Sequence, residues 1–166
     1  MQHFNLQSTI YKNLIRQHEG PFVLGALAAL WKPAFSLREE TYTIGSASLE
    51  ASLVLGESQT GDGPLEFVQK NGHPGQTWFF DRSGSNDRDF SVQNVLGAYI
   101  NCGEEAGSPC LAGEDPQIYT LEFTGDNKYQ FVAKGSGYFL RVNENRQLEL
   151  AEWDQTPNEE FTLTST

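Results

Sequence analysis

An all-β domain built from three repeats is what this sequence predicts, and three observations carry the prediction. An aromatic-x-apolar strand occurs at Tyr42-Thr43-Ile44, again at Phe90-Ser91-Val92, and again at Tyr129-Gln130-Phe131. A second apolar landmark follows 11, 10 and 11 residues after those aromatics, at Leu53, Ile100 and Leu140. A third and a fourth fall on Phe67, Cys110 and Leu150 and on Trp78, Leu121 and Phe161, separated by 11 residues each time. Four short strands in each of three repeats make about twelve strands, and repeats too short to bury their own apolar faces must share one core. That arrangement is a β-trefoil over residues 41–166, with repeats at about 41–86, 87–126 and 127–166. The 16 Gly and 7 Pro suit the many turns it needs.

Residues 1–40 stand outside the pattern. Leu6, Ile10 and Leu14 recur at helical spacing, which predicts an amphipathic helix over residues 5–17. Pro21 then opens the apolar run Phe22 to Trp31, which Lys32-Pro33 ends. Ten residues are too few to span a bilayer. Twenty residues including Glu19 precede the run, and no small-x-small site follows it cleanly, so it does not read as a signal peptide. The expectation is a helical extension, packed on the trefoil or on a second subunit in a homo-oligomer. The chain would then be cytoplasmic, or secreted by a non-classical route.

Charge narrows the partners. The formal net charge is −11, and it is uneven: residues 1–40 carry four basic and three acidic side chains, residues 41–166 seven and nineteen. A domain so acidic repels phosphate backbones and anionic lipid, which argues against nucleic acid and membranes as partners. The two cysteines, Cys102 and Cys110, lie eight residues apart on adjacent strands of the middle repeat. Two buried thiols are the simpler expectation, and a cross-strand disulfide is the alternative.

Catalytic and cofactor motifs are missing from the sequence. His73 is the one histidine of residues 41–166, and there is no Gly-x-Ser-x-Gly elbow, HExxH or Gly-rich phosphate loop. Asp62, Asp81, Asp87 and Asp89 lack the alternation of a calcium loop. The runs Glu104-Glu105, Glu114-Asp115 and Glu159-Glu160 read as solvated faces. The expectation is a binding protein without metal or cofactor, not an enzyme.

The series Thr41-Tyr42-Thr43-Ile44, Leu53-Val54-Leu55-Gly56, Val68-Gln69-Lys70-Asn71-Gly72 and Gln76-Thr77-Trp78 resembles the ricin-B-like lectin repeats of mushroom-forming fungi, with their Gln-x-Trp signature. Asn158-Glu159-Glu160-Phe161 echoes it in the last repeat. The resemblance covers residues 41–166. The signature has a structural use of its own: Trp78, like Leu121 and Phe161, fills the core, while Gln76 ties a loop down through its two-ended amide. In sugar-binding members, the resemblance implies a polar acceptor on the second strand, an aromatic platform on the third, and an Asn just ahead of Gln-x-Trp. Carried onto this chain, the acceptor position holds Val54, Asn101 and Arg141; the platform position holds Val68, Leu111 and Ala151; the Asn position holds Gly75, Ile118 and Asn158.

No repeat keeps all three parts. The best-equipped candidate is the last, where Trp153, two residues past the platform position and so on the same strand face, would stack on a sugar. Asn158 would supply hydrogen bonds, and Arg141 would introduce a cation favouring acidic glycans. Asn101 is the remnant of a site in the middle repeat. Gln69, Lys70, Asn71 and His73 form a polar run that suits a ligand loop in the first. Two functions follow. One is a noncatalytic lectin with degenerate sugar sites, whose partners are glycans or glycoproteins. The other is a protein-binding trefoil that inhibits a protease or serves as a noncatalytic enzyme subunit, with Glu57 to Gly63 as its probing loop.

Overall fold

A computed structural model describes residues 37–58, 63–84 and 86–166. The helix expected over residues 5–17, and the rest of the extension up to residue 36, lie outside the described residues. Twelve strands follow one another as the repeats predict. The first repeat contributes β1 (Thr41–Ser46), β2 (Leu53–Gly56), β3 (Glu66–Gln69) and β4 (Trp78–Arg82). The second contributes β5 (Asp89–Asn94), β6 (Tyr99–Asn101), β7 (Leu111–Gly113) and β8 (Ile118–Gly125). The third contributes β9 (Lys128–Ala133), β10 (Phe139–Val142), β11 (Leu148–Ala151) and β12 (Phe161–Ser165).

The first and fourth strands of the repeats close into a ring. β1 pairs with β4, β4 with β5, β5 with β8, β8 with β9, β9 with β12, and β12 returns to β1, all antiparallel. Closure leaves no strand edge in the barrel. The second and third strands form three hairpins, β2–β3, β6–β7 and β10–β11. They meet in a cyclic triangle of backbone bonds: Leu65 N–H donates to the Cys110 carbonyl (2.8 Å), Cys110 N–H to Leu148 (2.8 Å), and Leu148 N–H back to Leu65 (2.9 Å). Each repeat satisfies its neighbour's backbone there, so none can close the cap alone.

The core is the set that the pattern predicts. Ile44, Leu53, Phe67, Trp78, Val92, Ile100, Leu121, Phe131, Leu140, Leu150 and Phe161 are all buried. Packing begins ahead of the expected boundary, because Leu37 is also in the core and its carbonyl accepts from Arg82. Aromatic contacts join the repeats: Phe131 meets Phe161 edge-on at 5.4 Å, and Phe80 at 5.9 Å.

Strand registers correct the repeat alignment. Trp78 lies opposite Asn94, Tyr119 opposite Ala133 and Phe161 opposite Ser46. These three partners each follow the matched core residues Val92, Phe131 and Ile44 by two. Tyr119, not Leu121, is therefore the counterpart of Trp78. The side-chain bonds agree, since Trp78 Nε1–H donates to the Leu55 carbonyl at 3.1 Å and the Tyr119 hydroxyl to that of Ile100 at 3.2 Å. It follows that Leu55 matches Ile100, and the backbone triangle matches Cys110 to Leu65 and Leu148. Every one of these slips is two residues long. A two-residue slip keeps the face, which is why the core prediction survived while positions in the binding recipe moved.

The cysteines are joined. Cys102 and Cys110 form a disulfide between the ends of β6 and β7, both fully buried, where two free thiols were the simpler expectation. At the matching register the third repeat packs Val142 against Leu148, and the first places Leu65 where Cys110 stands. Small sulfur side chains leave the middle hairpin short of apolar bulk, and a covalent bond closes it instead.

Candidate functional site

The frame of the site is set by the residue that opens each Gln-x-aromatic triplet. Gln76 is buried, accepts from Asn71 N–H at 3.0 Å and donates to the Gln69 carbonyl at 2.8 Å. Its counterpart Glu159 is fully buried, not on a solvated face as adjacent acids suggested. Its carboxyl oxygens accept from the amides of Asp154 (2.9 Å) and Gln155 (3.2 Å). Burial pushes the Glu159 carboxyl above its ordinary value, against those two amides. The anchored turns share one design. Asn71 Oδ1 accepts from His73 N–H (2.8 Å) as Asp154 Oδ1 accepts from Thr156 N–H (3.1 Å), and single 3-10 turns follow at Pro74–Gln76 and Pro157–Glu159.

The middle repeat carries a second copy of the signature that the two-residue slip concealed: Gln117-Ile118-Tyr119. Gln117 Oε1 accepts from Cys102 N–H (2.7 Å) and Nε2 donates to the Gly103 carbonyl (2.6 Å), so it clamps the end of the second strand, not a third-strand turn. In this register the Asn position of the middle repeat is Pro116, not Ile118. Asn101 is held within its own loops, donating to the Asp115 carbonyl (3.3 Å) and accepting from Gly103 N–H (3.2 Å). The structure does not bring Asn101 together with the other predicted residues.

In the last repeat, Arg141 and Asn158 do meet. They line one cleft of about 460 Å³ with Asn143, Glu144, Glu149 and Asp154. Arg141 lies opposite Glu149 in the β10–β11 register and grips its Oε1 through NH2 (2.6 Å) and Nε (3.2 Å); its NH1 is 3.6 Å from Asp154. The hydrogen bond to Glu149 raises the Arg141 pKa. Asn143 Nδ2 bonds the other Glu149 oxygen at 3.2 Å. The acceptor missing from β10 is thus present across the register on β11, a signal that a strand-by-strand template could not give. Trp153 is separate from this cleft. Half exposed, it stacks on Phe139 at 6.1 Å and 21° and lines a neighbouring cleft with Gln130, Gln155 and Thr156.

The first repeat has the equivalent cleft, about 310 Å³, lined by Gly56, Glu57, Ser58, Val68, Asn71, His73, Gly75 and Gln76. Asn71 and His73 face it. Gln69 is engaged elsewhere, donating to Ser52 Oγ at 3.2 Å. His73 Nδ1 accepts from Gly75 N–H at 3.1 Å, so in the neutral ring Nε2 carries the proton. Residues 59–62 of the expected probing loop lie outside the described residues. Among the described residues, no group of three His, Cys, Asp or Glu is placed to hold a metal ion, and no helix is long and apolar enough to cross a membrane.

A closed ring of paired strands capped by three hairpins defines the β-trefoil, the fold of the ricin-B-like lectins. Solved structures agree. The chain is similar to the Rhizoctonia solani agglutinin (TM-score 0.68, 16% identity, covering 80% of this chain and 99% of that one). It is similar to the Macrolepiota procera ricin B-like lectin, solved with lactose (0.67, 15%, 80% and 99%). It also resembles ThreeFoil, a designed threefold-symmetric protein (0.67, 16%, 76% and 99%). At these identities the likeness establishes the fold. No family model and no curated protein matches the sequence.

Proposed function

We propose that this chain is a noncatalytic carbohydrate-binding trefoil whose working site is the last-repeat cleft. The observation that carries the reading is the meeting of Arg141, Asn158, Glu149 and Asp154 around one opening. Asn158 stands at the position where the resembled lectins keep an Asn. A pyranose needs paired donors and acceptors; here Arg141 and Asn158 donate, and carboxylate oxygens with spare lone pairs accept. The fungal lectins of the same fold support the ligand class by analogy. Charge argues against the acidic glycans that Arg141 alone suggested: Glu144, Glu149 and Asp154 outnumber it, and two of them already engage it. The ligand is a neutral sugar. With no aromatic wall, a single such site binds weakly, with Kd on the order of 1 mM.

The test is a glycan array followed by titration of neutral and sialylated galactosides in a Trp153→Ala background, which leaves only the last-repeat cleft to be read. Neutral binding that drops at least about tenfold in Asn158→Ala supports the reading. Preference for sialosides, or binding indifferent to Asn158→Ala, overturns it. Binding to a protease or another enzyme with no glycan bound transfers the function to protein recognition.

A further inference from the structure

The cleft beside Trp153 is not the cleft of Arg141 and Asn158, and we propose that it is a second, independent seat for a neutral pyranose. It opens on the other side of the turn that Glu159 anchors, between β8, β9 and residues 153–160. Thr124, Gln130, Trp153, Gln155, Thr156, Pro157 and Glu160 enclose about 300 Å³, room for one sugar ring. By contrast, the recipe of the resembled lectins uses the opposite side of this turn, where Asn158 points toward β10.

Two features mark a ligand. The first is Trp153 itself: one indole face rests on Phe139 (6.1 Å, 21°) while 54% of the residue remains exposed. Such a ring is held rigid from behind and open in front, the geometry that stacks on the C–H face of a sugar. The second is the polar lining of the same cleft, where the Gln130 and Gln155 side-chain amides offer both donors and acceptors. Glu160, paired with Lys128 Nζ at 3.1 Å, closes the rim with little net charge. An aromatic wall with neutral polar groups selects a neutral ring, and nothing in the lining favours a phosphate or carboxylate.

The choice of ligand rests on the glycan-binding reading, and the experiment separates the two. Methyl galactoside, glucoside, mannoside and N-acetylglucosaminide are each titrated to about 50 mM while the Trp153 indole N–H and the Asn158 amide are followed by NMR. Assignments come from Trp153→Phe and Asn158→Ala. The expected result is a saturable shift of the Trp153 resonance with at least one glycoside. It should persist in Asn158→Ala and weaken at least about tenfold in Gln130→Ala. A Trp153 signal that no glycoside moves, or one whose response vanishes in Asn158→Ala, overturns the second seat. If Trp153 responds while Asn158 does not, the seat stands and the last-repeat cleft loses its role.

Discussion

The first-repeat and last-repeat clefts are the same construction with different contents. Both sit behind a turn anchored by a buried side chain, Gln76 in one and Glu159 in the other, with an Asn or Asp capping the residue two ahead and a proline opening a 3-10 turn. Around that frame, the first repeat places Gly56 and Gly75 where the last places Arg141 and Asn158. The fold therefore fixes where a cleft forms, and the side chains at its rim decide what it can hold. A trefoil can lose a binding site without disturbing its core, since frame and contents are carried by different residues.

The frame should be the more expensive part to damage. Trp78→Ala removes a fully buried indole and its bond to Leu55, and should cost about 3–5 kcal/mol in urea unfolding. Replacing Cys102 and Cys110 by Ala opens the one covalent link and should cost about 2–3 kcal/mol, judged from the short loop it closes. Gln76→Ala leaves the Asn71 amide without its partner, and should cost about 1–3 kcal/mol.

Acid separates the two anchors. Burial raises the Glu159 carboxyl above its ordinary value near 4.5 in the folded chain. The folded state holds that proton more tightly than the unfolded one, so this contribution is complete below about 4.5 and is lost as pH rises through the raised value. Glu159→Gln removes the titration, so its stability should decline less between pH 4.5 and 7.5 than that of the natural chain. An equal decline in both would place the pH dependence elsewhere.

Much of the fold was legible in the sequence because trefoil strands repeat their apolar residues with period two. That same period hid the register. Leu121 and Tyr119 both face the core, so spacing alone could not say which one matched Trp78, and the Gln117-Ile118-Tyr119 triplet went unread. Site residues were less legible. That Arg141 and Asn158 share a cleft could be expected because they sit at fixed distances from strand landmarks. Glu149 was missed because its pairing depends on lying opposite Arg141, which sequence order does not display, and the burial of Glu159 because an acid beside another acid resembles surface. Trp153 was expected beside Asn158, but it lines the neighbouring cleft, and its stack on Phe139 is a contact that sequence order does not display.

Changes to the contents should leave stability almost untouched. Asn158 is exposed, so Asn158→Ala should move it by no more than about 0.5 kcal/mol. The central claim, that the last-repeat cleft binds sugar and the first-repeat cleft does not, is tested most directly by calorimetric titration of one neutral galactoside into three proteins that all carry Trp153→Ala to silence the neighbouring cleft: that variant alone, and with Asn158→Ala or His73→Ala added. The account predicts that adding Asn158→Ala weakens binding at least about tenfold while adding His73→Ala leaves it unchanged. Binding that is lost in His73→Ala and kept in Asn158→Ala would contradict it.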